Sequence, residues 1–110
     1  MILKYFDREF HSGDIIKHFK YETVSPEDRE KNLYLYELID LAYDTNKETE
    51  VVIYKALYSP FMIYTRELFD FLDEVDYKKY PDIKQKYKFT VVSSRNDVDV
   101  ISKSTVKYKD

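Results

Sequence analysis

Val51-Val52-Ile53-Tyr54-Lys55-Ala56-Leu57-Tyr58 is the most apolar run of the chain, and its alternation decides the fold class. Successive side chains of a strand point to opposite faces, so Val52, Tyr54, Ala56 and Tyr58 line one face of a strand spanning 50–58. Val51, Ile53 and Leu57 share the other face with Lys55. Tyr54, between Ile53 and Ala56, is expected to be at least half buried. On its N-terminal side, Tyr34 to Tyr43 reads as a long strand whose apolar set changes phase near Asp40, as a bulged strand does. Asp44-Thr45-Asn46-Lys47 is a short polar connection, so the two strands are expected to form an antiparallel hairpin. On its C-terminal side, Ser59-Pro60 turns the chain into a fourth strand, Phe61 to Thr65.

Upstream, Gly13-Asp14 opens a short strand from Ile15 to Phe19. Ser25-Pro26-Glu27-Asp28 is a helix start: Ser25 caps, Pro26 takes the first helical position and Asp28 closes a capping box. Downstream, Thr65 is expected to cap a short helical segment with Glu67 in its first turn. Leu68, Phe69, Phe71 and Leu72 form its apolar stripe, read as a core plug. Tyr80-Pro81-Asp82 opens a lysine-rich, weakly helical stretch. Phe89 to Ser93 and Val98 to Ser102 read as a terminal hairpin across Asn96-Asp97. Short bulged strands with one or two helical turns suit a mainly β, small, SH3-like, partly open barrel better than a two-layer sandwich. The whole of 1–110 is expected to be a single domain, with 90–110 as an extra C-terminal segment.

Composition narrows the chemistry. The chain has 110 residues with 12 Tyr and 7 Phe, and aromatics reach 17%. Large flat rings pack well on a half-buried pleated surface, and Tyr accepts sites where only its hydroxyl stays wet. There is no Cys, which excludes disulfides, thiolate zinc sites and a cysteine nucleophile. The single Gly, Gly13, excludes a P-loop, a dinucleotide fingerprint and a nucleophile elbow, all of which need glycines. It also implies that few positions take a positive φ, leaving the turns to Asn, Asp, Pro and Ser, as at Ser94-Arg95-Asn96-Asp97. The apolar run at the N-terminus is too short and too acidic for a signal peptide, and no stretch approaches the ~20 residues that cross a bilayer. The expected location is the cytoplasm, away from membranes.

The net charge of −3 hides an asymmetry: residues 1–76 carry 9 Lys/Arg against 17 Asp/Glu, and residues 77–110 carry 9 against 4. An acidic body repels phosphate backbones, and the basic tail either folds back on that body or binds nucleic acid by itself.

Few residues have the makings of a catalytic or metal site. Asp7, Glu9 and His11 would share one side of an extended segment, short of the four ligands of a structural zinc site. Asp73, Glu74 and Asp76 read as a solvated charged end, and Glu37 as an outward position on its strand. No metal or cofactor is expected, and no enzymatic activity. The richer set is His18, Tyr54, Tyr58, Tyr64 and Arg66. In the strand register above, Tyr54 and Tyr58 share one face of the third strand, and Tyr64 and Arg66 one face of the fourth. An Arg beside tyrosines either binds a carboxylate or a ring, or locks the sheet by stacking and bonding backbone carbonyls.

Three stretches carry a family pattern: Gly13-Asp14-Ile15-Ile16-Lys17-His18-Phe19-Lys20, Tyr34-Leu35-Tyr36-Glu37-Leu38 and the run 51–58. The pattern continues through Thr65-Arg66 with Leu68, Phe69 and Phe71, then Glu74-Val75-Asp76 and 79–87. Over about 13–89 the chain resembles the small bacterial family called domain of unknown function 1653. The resemblance implies a small SH3-like barrel without an established activity. It also implies that His18, Tyr54, Tyr58 and Arg66 form a common feature. Ser59-Pro60 stands where the family usually has Gly, Glu67 where it has Pro, and Tyr43-Asp44-Thr45-Asn46-Lys47 where His-Thr-Glu-Thr-Gly is common, so those turns differ in geometry.

The leading functional expectation is a non-catalytic module holding a peptide or protein segment on an aromatic face beside Arg66. The alternative is nucleic-acid (RNA) binding through Lys78, Lys79, Lys84, Lys86 and Lys88, with tyrosines stacking on bases. A small enzyme built on Arg66, His18 and a carboxylate is the third reading.

Overall fold

The computed structural model describes residues 1–92. The expected turn at 94–97 and the strand from Val98 to Ser102 lie outside the described residues. Among the described residues the fold is mainly β: seven strands in two antiparallel sheets, with two short α-helices. The strands are β1 (Ile2–Tyr5), β2 (Arg8–His11), β3 (Ile15–His18), β4 (Leu35–Asp44), β5 (Thr49–Ala56), β6 (Ile63–Glu67) and β7 (Phe89–Val91). The helices are α1 (Pro26–Glu30) and α2 (Leu68–Leu72), and a 3-10 turn spans Phe19–Thr23. β1 and β2 form a hairpin, and the larger sheet runs β6-β5-β4-β3-β7 without closing on itself.

The β4–β5 hairpin is the centre of the sheet and follows the expected alternation. Val52, Tyr54 and Ala56 are buried, and Tyr54 is only 5% exposed. The register slips between Leu38 and Asp40, leaving Ile39 as the extra residue of a bulge. The bulge lets Tyr36 and Leu38 face inward before it and Leu41, opposite Val52, face inward after it. α1 starts with Ser25 Oγ accepting the Asp28 amide at 3.2 Å and Pro26 in the first turn, as its sequence predicts. Among the described residues the Asp28 carboxylate does not return the bond to the Ser25 amide, so the capping box is half made.

Several expectations are corrected. Thr65 does not cap a helix: β6 runs on to Glu67, paired with Val51, and Glu67 takes the cap position of α2 without a side-chain hydrogen bond. Ladder hydrogen bonding of an edge strand outweighs the cap preference of a single Thr. Leu68, Phe71 and Leu72 plug the core, but Phe69 is 62% exposed, because one step along a short helix turns a side chain away from the i, i+3, i+4 stripe. The lysine-rich stretch is not helical. Pro81 interrupts it, Asp76 Oδ1 accepts the amides of Lys78 and Lys79, and the Glu22 carboxylate accepts those of Lys84 and Gln85 at 3.0 and 2.7 Å. These side-chain clamps hold the segment as turns. Left-handed backbone is also commoner than one glycine implied: Phe6, Asn32, Tyr34, Glu48 and Phe61 have positive φ alongside Gly13. Each such non-glycine corner costs about 1 kcal/mol, offset by surrounding packing and hydrogen bonds.

The hairpin β1–β2 was not legible in the sequence, and it covers the core. Phe10, 2% exposed, meets the Phe71 ring edge-on with centroids 5.5 Å apart. Arg8 ties the hairpin down: Nη1 donates to the Leu72 carbonyl at 2.8 Å and Nη2 to the Phe89 carbonyl at 2.9 Å. Its guanidinium lies 3.7 Å from the Tyr87 ring centroid. A lysine reaches one carbonyl at a time and loses the planar stack. Arg8→Lys is therefore expected to cost about 1–2 kcal/mol, read as a lower urea midpoint. An unchanged midpoint would show that the apolar packing of Phe10, Leu3 and Tyr5 holds the hairpin without Arg8.

Candidate functional site

Strand register explains why four of the five expected site residues share one face. Leu38 pairs with Tyr54 and Tyr54 with Tyr64; Leu41 pairs with Val52 and Val52 with Arg66. Directly paired residues point the same way, so Tyr64 and Arg66 stand on the inner, core-facing side. On the other flank Ile16 pairs with Tyr36 and with Val91, and His18 pairs with Phe89, which places His18 on the same side. The Phe89 ring sits between the two flanks. It packs edge-on to His18 at 5.0 Å, Tyr36 at 6.1 Å and Tyr54 at 5.4 Å, and stacks on Phe71 at 4.8 Å.

Arg66 is held on three sides. Nε donates to the Tyr54 hydroxyl at 3.2 Å, Nη1 donates to Asp70 Oδ2 at 2.7 Å, and the guanidinium carbon lies 5.0 Å from the Phe89 centroid. Asp70 Oδ1 accepts from Lys88 Nζ at 2.5 Å, and Lys88 lies 3.8 Å from Asp73. Burial pushes the Asp70 carboxyl up, but the hydrogen bonds from Lys88 and Arg66 outweigh it and hold the group below the usual carboxylate range. Among the described residues Arg66 Nη2 has no hydrogen-bond partner.

His18 is the N-cap of the 3-10 turn, its Nδ1 accepting the Lys20 amide at 3.1 Å. That bond leaves Nε2 to carry the proton of the neutral ring. Burial, and then the nearby charges of Arg66, Lys20 and Lys88, push the imidazole down to about 4, so it is neutral at pH 7. It acts there as an uncharged donor among cations.

His18, Phe19, Lys20, Arg66, Asp76, Lys79, Tyr80 and Lys88 line an open cavity of about 340 Å³. A second cavity of about 170 Å³ is lined by Asp28, Lys31, Leu33, Tyr58 and Ser59. A row of half-buried rings links them: Tyr34 lies 5.7 Å from His18 and 6.5 Å from Tyr58. Behind this row the Tyr36 and Tyr58 hydroxyls meet at 2.9 Å, and burial pushes both phenols up from their ordinary value.

The structure thus divides the expected set. His18 and Arg66 line the larger cavity. Tyr54 is a core residue that orients Arg66. Tyr64 packs on Tyr54 at 5.7 Å, half-buried beside Arg66. Tyr58 belongs to the smaller cavity. Lys20, Asp70 and Phe89 were missed as site residues, while Lys79 and Lys88 were named only for the alternative nucleic-acid reading. Lys79 and Lys88 stood out only as members of a charge run, and their convergence on Arg66 depends on the Glu22 and Asp76 clamps. On the hairpin, His11 Nε2 contacts Glu9, while Asp7 lies in the turn between β1 and β2. No group of three or more metal-ligating side chains gathers among the described residues.

The fold and cavity define an antiparallel β domain with a cationic pocket beside an aromatic row. The family model described as protein of unknown function (DUF1653) matches residues 14–91, and the chain belongs to that family. The match takes in β3 to β7 and begins after the β1–β2 hairpin. No curated protein and no solved structure gives a significant match.

Two measurements check this geometry. Arg66→Lys keeps the charge but loses the fork that reaches Tyr54 and Asp70 together, and the stack on Phe89. The melting temperature is expected to fall by several degrees, about 1 kcal/mol in a domain of this size; no change would mean that Arg66 is held in place by nothing of consequence. The second is the pH dependence of stability. His18 titrates at about 4 when folded against 6.5 for a free imidazole, so between these values the unfolded chain binds the extra proton. Stability is complete above about pH 6.5 and falls as the pH is lowered toward 4. His18→Asn, which retains a capping acceptor, should flatten the slope between pH 6.5 and 5, above the range where the depressed carboxylates Asp70, Glu9 and Glu22 titrate. An unaltered slope would assign it to another group.

Proposed function

We propose that this protein is a non-catalytic binding module, of the SH3-like, partly open barrel kind, that holds an extended acidic peptide or protein segment. The bulged five-stranded sheet capped by α2 supports the barrel description. The observation that carries the function is the row of rings His18, Tyr34 and Tyr58 running from the cationic cavity to the smaller one. Half-buried aromatic rows with a polar anchor at one end suit extended chains, because rings give contact area at little entropic cost. An acidic group of the segment enters beside Arg66 and His18, and a neighbouring apolar side chain fills the cavity at Tyr58 and Leu33. Tyr54 and Tyr64 support Arg66 from behind.

Nucleic-acid binding through the lysines is the competing reading, supported by the presence of Lys79 and Lys88 in the cavity wall. Fluorescence anisotropy with labelled short peptides carrying one acidic residue tests the proposal, with the same peptides amidated at that residue as controls. The acidic set should bind and the amidated set should not, and Tyr34→Ala should weaken binding roughly tenfold. Equal binding of both sets would overturn it. Preferential binding of single-stranded RNA, with affinity falling steeply as salt rises, would establish the competing reading instead.

A further inference from the structure

The larger cavity has more positive charge than a single carboxylate answers. Lys20, Arg66, Lys79 and Lys88 line it, against one lining acid, Asp76. Asp70 adds a second carboxylate from behind, committed to Arg66 and Lys88. Asp73 is 3.8 Å from Lys88 with its side chain 63% exposed, where water screens it. Counting Asp76 and Asp70 against the four cations leaves an excess of about two positive charges, and of about one when Asp73 is counted with them. The charge calls for an anion, and the number of free donors decides its kind.

The donors are also arranged for more than two acceptor oxygens. Arg66 comes from β6 and His18 from the end of β3. Lys20 comes from the 3-10 turn, Lys79 from the loop after α2, and Lys88 from the residue before β7. The Lys20 and Lys79 ammonium groups lie 5.8 and 5.5 Å from the Tyr80 ring centroid, so one ring steadies both at the cavity wall. His18 Nε2–H and Arg66 Nη2 have no hydrogen-bond partner among the described residues, and both side chains line the space. A planar carboxylate presents two oxygens in one plane, whereas a phosphomonoester presents three oxygens and close to two charges at neutral pH.

Resting on the binding-module reading above, we infer that the group received beside Arg66 is a phosphomonoester dianion. Arg66 and the His18 N–H are its directional donors, and Lys20, Lys79 and Lys88 neutralise its charge. His18 is well suited because its ring donates without adding a further cation, and Arg66 because Tyr54 and Asp70 fix its plane while Nη2 stays free to donate. The cavity holds such a group whether it arrives on a phosphorylated side chain of the bound segment or as a small free phosphate compound.

Calorimetric titration of the full chain with inorganic phosphate, phenyl phosphate, dimethyl phosphate and acetate tests this, alongside one peptide in phosphorylated and unphosphorylated forms. Inorganic phosphate and phenyl phosphate should bind once per chain, at least tenfold more tightly than acetate or the singly charged diester dimethyl phosphate. Lys20→Gln and Lys79→Gln remove wall charges that hold no part of the core, and each should weaken phosphate binding by roughly twofold to fivefold with an unchanged melting temperature. Equal affinities for acetate and phosphate would overturn the dianion inference while leaving an acidic-segment module standing. Selective phosphate binding with no gain from either peptide would leave the inference standing and overturn the segment reading. Absence of binding by every anion, with the unfolding transition intact, would overturn both.

Discussion

The ring of Phe89, 1% exposed, is the contact on which both the core and the site depend. It stacks on Phe71 of α2, meets Tyr54 of β5 and Tyr36 of β4, pairs with His18 of β3 and carries the Arg66 guanidinium on its face. Its carbonyl accepts from Arg8, which fastens the N-terminal hairpin. Burying one such ring stabilises the fold by about 2–3 kcal/mol, and the edge-on pairs add to that. Because β7 is only three residues long, the strand owes its place less to its ladder than to this ring.

The same packing sets the electrostatics of the cavity. Phe89 and Phe19 help take the His18 ring out of water, which disfavours its charged form; the cations around it act in the same direction. Arg66, stacked on Phe89 and bonded to Tyr54, loses little freedom when a ligand arrives. Asp70 bridges Arg66 and Lys88, keeping two like charges close without full mutual repulsion. The pocket is therefore pre-organised on its sheet side. Its outer wall, Lys79 and Tyr80, is positioned by the Asp76 and Glu22 turns and depends on polar clamps.

The central hairpin, its bulge and the capped α1 were legible because each leaves a local mark: alternation, a phase change, and Ser-Pro followed by acids. The site was half legible. His18, Tyr54, Tyr64 and Arg66 do share a face, because pairing follows from register once the hairpin is right. Tyr58 lies beyond the end of β5 at Ala56, yet it packs against the same cluster through Tyr36 while also lining the smaller cavity. The β1–β2 hairpin escaped because its corner, Phe6-Asp7, has no Gly or Asn to announce it, although Phe6 takes a positive φ. Phe89 and the cavity lysines escaped for another reason. Their meeting with β3 and β6 is set by contacts far along the chain, such as Glu22 with Gln85 and Arg8 with Phe89, which no local pattern encodes.

The most direct test of the Phe89-centred account is an NMR titration of the His18 ring in the wild-type chain and in Phe89→Leu. The account predicts a neutral ring protonated at Nε2, titrating at about 4 in the wild type and moving toward 6.5 when the aromatic wall is removed. A wild-type His18 titrating near 6.5, or one indifferent to Phe89→Leu, would contradict it.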